Sequence, residues 1–185
     1  MEILSQLENF CPLDEKEEKD KSIIVSVLTK NAPSCFSRER EEGHITVSSW
    51  IVNPEKTRVL FCYHKIYDSW SWVGGHADGE ADLVAVALRE GREETGIENF
   101  TVCPGILSVE ILPVSGHMKK NCYVPSHIHY NITYLLIADE GEALKINPAE
   151  NTGLMWIDMK DIEKYSSEKW MCENVYDKIR KKLMP

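Results

Sequence analysis

The chain has 185 residues, 43% hydrophobic and 28% charged, enough to bury a sizeable core in one domain with a short appendage. Its 21 basic and 30 acidic residues leave a formal net charge of −9, a poor basis for binding nucleic acid or an anionic membrane through a Lys/Arg surface. No apolar stretch reaches the roughly 18 residues that span a bilayer, and the acidic start MEILSQLENF lacks a signal-peptide pattern. The six cysteines (Cys11, Cys35, Cys62, Cys103, Cys122, Cys172) are scattered with no CxxC pair, as expected of reduced thiols in a cytoplasmic protein.

Residues 1–33 read as helical. Ile3, Leu7 and Phe10 share one face, and Ile23, Ile24, Val27 and Leu28 recur at helical spacing before Asn31 and Pro33 end the run. The charges at 14–21 read as a solvated helix start. From His44 the period becomes two: HITVSSWIVN and TRVLFCY are expected as strands joined by the turn NPEK. After the loop HKIYDSWSW and a helix described below, FTVCPGILSVEILPVS and SHIHYNITYLLIAD read as further strands, separated by the polar loop GHMKKNCYVP. GLMWIDM is a short strand, and a last helix over 167–183 would bury Met171, Val175, Ile179 and Leu183. Strands on both sides of a central helix, closed by another helix, predict an α/β sandwich around a mixed sheet. Residues 1–42 are expected as a helical extension packed on a domain of residues 43–185.

The stretch GGHADGEADLVAVALREGREETGI, Gly74 to Ile97, carries the chemistry. Asp82 is a good N-cap and Gly96 a good C′ residue, so a helix is expected up to Thr95, with Val84, Leu88, Gly91 and Thr95 inward. Gly91 in mid-helix costs about 1 kcal/mol relative to Ala, which suggests close approach to another backbone. Glu90, Glu93 and Glu94 converge near the helix C-terminus, where like charges and the macrodipole both oppose them. A solvated face neutralised by Arg89 and Arg92 is the plainer explanation. A hard-cation site, with Mg²⁺ taking oxygens from carboxylates and a substrate phosphate, is the sharper one. The preceding Gly74 and Gly75 favour it, because such a loop brings backbone close to a ligand.

This stretch resembles the Nudix hydrolase signature GX5EX7REUXEEXGU, where U is aliphatic. Gly75, Arg89, Glu90, Glu93, Glu94, Gly96 and Ile97 fall in register with it. Two positions depart: the signature's first glutamate falls on Ala81, between Glu80 and Asp82, and its aliphatic residue after the Arg-Glu pair is Gly91. The strand pattern extends the resemblance over roughly residues 43–160. It implies an α/β/α sandwich that hydrolyses a nucleoside diphosphate derivative with Mg²⁺ or Mn²⁺. Carried over, Glu90, Glu93 and Glu94 hold the metal with the Gly75 carbonyl as a further ligand, and Arg89 orients a glutamate. The general base would be Glu93 or Glu94, with Glu150 of NPAENTG an outside choice. Glu80 could stand in for the displaced glutamate or contact substrate. The partner implied is a small molecule, and a homodimer is left open.

Outside the motif, strand alternation sends His127, His129, Asn131 and Thr133 to one face, either a wet strand face or part of a substrate cleft touching phosphate or base. Transition-metal binding there lacks a third ligand in the sequence. Trp72 could stack on a base or sugar, although core packing explains it and Trp70 equally well. Lys119 and Lys120 could meet phosphates, and Arg38 could reach back over the domain. Two other functions share the fold: a non-catalytic nucleotide-binding or regulatory domain, expected to lose the motif carboxylates, and an isoprenoid diphosphate isomerase, expected to use a cysteine.

Overall fold

The computed structural model describes residues 2–65, 68–119 and 122–184. Its helices are α1 (Glu2–Asn9), α2 (Glu15–Asn31) and α3 (Leu83–Thr95), followed by short C-terminal helices. Its strands are β1 (Gly43–Val52), β2 (Arg58–His64), β3 (Ser69–Ser71), β4 (Val73–His76), β5 (Thr101–Val102), β6 (Ser108–Val114), β7 (His117–Lys119), β8 (Cys122–Val124), β9 (His127–Ile137) and β10 (Asn151–Asp158). Among the described residues, no helix is long and apolar enough to cross a membrane. The chain divides into two compact units, one of residues 1–47, 75–86 and 105–133, the other of 48–74, 87–104 and 134–185.

In the first unit, α1 buries Ile3 and Leu7 as its spacing predicts. Helix α2 is capped by Asp14, whose Oδ1 accepts the Glu17 N–H at 2.8 Å. It buries Ile24, Val27 and Leu28 but leaves Ile23 exposed. The charged start of this helix is not fully solvated, which corrects the sequence reading. Glu17 is 1% exposed: its Oε1 accepts the Ser108 hydroxyl at 2.9 Å and its Oε2 accepts the Leu13 N–H at 2.6 Å. A buried carboxylate is tolerable because these donors replace water. Strands β6 and β9 pair antiparallel, Ser108 opposite Thr133 through Val114 opposite His127. The segment expected as a polar loop instead holds the small hairpin β7–β8.

In the second unit the strand order is β10-β2-β1-β9-β5. The expected turn NPEK forms between β1 and β2: Asn53 Oδ1 accepts the N–H groups of Thr57 and Arg58 at 2.8 and 2.9 Å. β1 and β9 run parallel, since Ile128 N–H donates to Glu42 O in the first unit and Ala138 N–H to Val52 O in the second, with the same residue offset. The β1–β2, β2–β10 and β5–β9 pairs are antiparallel, so the sheet is mixed. Neighbouring residues of β1 face opposite ways. Ser49 donates to Ala87 O of α3 at 2.9 Å, whereas the Trp50 ring meets Tyr176 of the C-terminal helix at 5.6 Å. This gives the expected α/β/α layering. A π-helical turn at Cys172–Tyr176 shifts the C-terminal helix, so Cys172, Val175, Tyr176 and Ile179 are buried while Met171 and Leu183 are only half-buried.

Gly96 ends α3 at φ +74°, its N–H donating to Arg92 O at 2.9 Å. A Cβ there would lie 2.5 Å from Lys145 Cβ. Gly96→Ala is therefore expected to cost about 2–4 kcal/mol, from left-handed strain plus overpacking. Urea unfolding measures it, and an unshifted midpoint would contradict this account of the helix end.

Candidate active site

The second half of α3 presents Arg89, Glu90, Arg92, Glu93 and Glu94. Asp82 caps the helix as expected, its Oδ1 accepting the Ala85 N–H at 3.0 Å. Of the expected inward face, Gly91 and Thr95 are buried, but the stripe as a whole differs. Leu83, Val86, Ala87, Glu90, Gly91 and Glu94 are buried, while Val84 and Leu88 are half-buried. The stripe is rotated enough to turn two of the carboxylates inward. The close approach expected at Gly91 is to side chains first: a Cβ would lie 3.2 Å from the Phe100 ring and 3.6 Å from Leu136.

Glu94 is 2% exposed. Its Oε1 accepts the Gly74 N–H at 3.0 Å, and Asn151 Nδ2 donates to its main-chain oxygen at 3.0 Å. Burial pushes its carboxyl up to about 8; Glu150 and Glu90 add to the rise, and the Gly74 N–H opposes it. Burial also raises Glu90, against the Arg89 guanidinium, whose Nη2 donates to Glu90 Oε1 at 2.8 Å. Burial, then the Glu94 carboxylate, pushes the Cys62 thiol far up. Cys62 therefore stays a thiol and makes a poor nucleophile, which counts against an isomerase built on it.

Oxygens of Glu90, Glu94 and Glu150 come within 4.8 Å of one another. Glu150, on the loop before β10, is exposed and closes this group from outside. Three carboxylates so close repel one another, and Arg89 pairs with Glu90. An all-oxygen donor set of this kind fits a hard divalent cation such as Mg²⁺ or Mn²⁺. Glu93 is exposed and is not one of the three. Trp72 is half-buried with its ring edge-on to Tyr176 at 5.6 Å, and Trp70 packs edge-on against Tyr63 at 5.4 Å.

The other expected site residues lie in the first unit. Gly75 is half-buried in β4. Exposed Glu80 accepts the Asp82 N–H at 2.8 Å, which ties it to the helix start. Asn131 is 2% exposed and engaged, donating to Glu110 at 2.8 Å and to Thr133 at 3.1 Å and accepting the Thr46 hydroxyl at 3.1 Å. This part of the β9 polar face is covered, not wet. His127 and His129 lie Nε2 to Nε2 at 3.1 Å. Two histidines that the sequence did not single out join them: the His44 ring is 5.1 Å from each, and His76 is 5.0 Å from His44 and 5.1 Å from His129. Arg38 pairs with Asp78. The Lys119 side chain and Lys120 lie outside the described residues.

A family model described as the NUDIX domain matches residues 43–176. No curated protein matches the sequence. Among solved structures, an Ap4A hydrolase from C. elegans is similar with TM-score 0.55 and 18% identity, covering 75% of this chain and 96% of that one. The E. coli dihydroneopterin triphosphate pyrophosphohydrolase gives TM-score 0.55 and 15% identity over 74% and 92% of the two chains. A MutT protein from Methanosarcina mazei Go1 gives 0.55 and 17% over 76% and 95%. At these identities the likeness is one of fold.

Proposed function

The chain belongs to the NUDIX domain family, hydrolases of pyrophosphate linkages, and from that premise we propose a metal-dependent pyrophosphohydrolase that cleaves a nucleoside diphosphate derivative by water attack at phosphorus. The convergence of Glu90, Glu94 and Glu150 carries the reading. Glu90, Glu94 and Glu150 would hold Mg²⁺ or Mn²⁺, with Glu93 and the Gly75 carbonyl as further ligand candidates from the motif. When bound, the ion supplies positive charge to the non-bridging phosphate oxygens and lowers the pKa of water. That charge also lets a chain of net charge −9 accept an anionic substrate.

The chain's own residues prepare this chemistry. Arg89 fixes one carboxylate oxygen of Glu90 and the Gly74 N–H one of Glu94, which orients the two side chains as ligands. In this reading Glu150, exposed on its loop beside these two, takes a proton from attacking water at the carboxylate oxygen not committed to the ion. Glu93, exposed at the same helix end, is the alternative base.

Nucleoside diphosphate derivatives, a dinucleoside polyphosphate such as Ap4A, and a pterin or nucleoside triphosphate form the test panel, the last two suggested by the named structural neighbours. With Mg²⁺, at least one should be hydrolysed at a phosphate anhydride bond, with products identified by mass spectrometry, and EDTA should abolish the turnover. Tight binding without hydrolysis of any compound would support a binding module instead.

A further inference from the structure

We propose that His44, His127 and His129 form a second metal site, for a transition-metal ion of the Zn²⁺ class, separate in its donors from the carboxylate group. Nitrogens of these three side chains lie within 4.8 Å of one another. Backbone pairing brings them together: the Ile128 N–H donates to Glu42 O across β9 and β1, and the Ala77 N–H donates to Ile45 O beside β4. His127 and His129, two apart on β9, share a face. His76 of β4 and His117 of β7 stand around the three, with ring centroids 5.0 Å from His44 and 6.4 Å from His127 respectively.

Two of the rings are preset as ligands. His127 Nδ1–H donates to Pro125 O at 2.9 Å, and His44 Nδ1–H points to Arg40 O at 3.4 Å. A carbonyl can only accept, so each neutral ring carries its proton on Nδ1 and its lone pair on Nε2. A backbone carbonyl on the far nitrogen is the usual support of a metal-bound histidine. His44 is 3% exposed, yet among the described residues its Nε2 has no hydrogen-bond partner. A buried polar atom of this kind calls for an explanation, and an ion facing it supplies one. In a tetrahedral shell with Zn–N near 2.0–2.1 Å, two ligating nitrogens stand about 3.3 Å apart. The 3.1 Å between His127 Nε2 and His129 Nε2 is already close to that. Without an ion, His129 Nε2–H donates to His127 Nε2. Loading shifts that proton to His129 Nδ1 and turns both lone pairs to the ion. Imidazole donors suit zinc, copper or nickel, whereas Mg²⁺ prefers the oxygens of the carboxylate group. Three protein ligands leave a fourth position for water or an oxygen of a bound molecule.

The test titrates the full chain, free of any histidine tag, with Zn²⁺ by calorimetry and with Co²⁺ by absorption, both in excess Mg²⁺. One Zn²⁺ should bind per chain and Co²⁺ should develop the strong visible bands of a tetrahedral site. His44→Gln and His127→Gln should each weaken Zn²⁺ by more than about 100-fold, the upper range for loss of a mere supporting partner. Glu90→Gln should leave Zn²⁺ binding unchanged, which keeps this site distinct from the proposed hydrolase centre. Since a buried histidine variant can fail to fold, zinc K-edge absorption on the wild type provides an independent reading. An imidazole shell is expected. An oxygen-only shell, no Zn²⁺ uptake, or undiminished binding by folded His44→Gln and His127→Gln would overturn the proposal.

Discussion

Glu94→Gln should lower turnover by about 100-fold or more while leaving the fold intact, the scale of losing a positioned group that handles a proton or charge. The fold should survive because the amide is nearly isosteric and its oxygen can still accept the Gly74 N–H that Glu94 Oε1 accepts at 3.0 Å. Burial already favours an uncharged side chain there, so the variant should melt no lower than wild type in EDTA. What it removes is a negative oxygen in the group with Glu90 and Glu150. Mg²⁺ stabilisation against heat should therefore shrink with turnover. Arg92→Gln is the control: Arg92 is exposed and among the described residues reaches only Glu98, through its main-chain oxygen at 3.3 Å and its carboxylate at 4.0 Å. It should change turnover little. A folded Glu94→Gln protein with full turnover would remove the carboxylate group from the reaction.

The ends of α3 were readable because caps are local: Asp82 and Gly96 act through atoms within a few residues. Its buried face was not. Sequence periodicity treats glutamate as a solvent-facing residue, and only distant partners reverse that here. The Gly74 N–H, the Cys62 thiol and the Asn151 side chain come from other segments to receive Glu94. Burial of Glu17 is hidden from the sequence for the same reason, since its buried donors Ser108 and Val109 lie on β6. Alternation along β9 correctly put His127, His129, Asn131 and Thr133 on one face. The third and fourth histidines depend on the parallel register of β1 with β9 and on β4 beside β1, which no local pattern in the sequence specifies. The β7–β8 hairpin is not legible in the sequence because its strands are three residues each, too short for a period of two to stand out.

The metal-free protein should lose stability with rising pH in a way that Glu94→Gln removes. Glu94 titrates near 8 when folded against 4.5 as an ordinary glutamate, chiefly because it is buried. Its folded pKa is raised, so its contribution is complete below the unfolded value of 4.5 and is lost as pH climbs through about 8. Between those limits the folded state holds one proton more than the unfolded chain, and the slope is at most about 1.4 kcal/mol per pH unit. Glu90, also raised by burial, adds a slope of the same sign. His129, His44 and His64, all held low by burial, produce the opposite slope as pH falls through the ordinary histidine range. Subtracting the Glu94→Gln curve from wild type cancels these shared contributions. Urea unfolding in EDTA from about pH 5 to 9 should therefore show wild type losing ground to the variant as pH rises, flattening above about 8. Saturating Mg²⁺ should reverse the trend for wild type alone, because a ligating carboxylate must be ionised and metal binding then expels the proton. Parallel curves for the two proteins in EDTA would mean that Glu94 does not carry a raised pKa in the folded state.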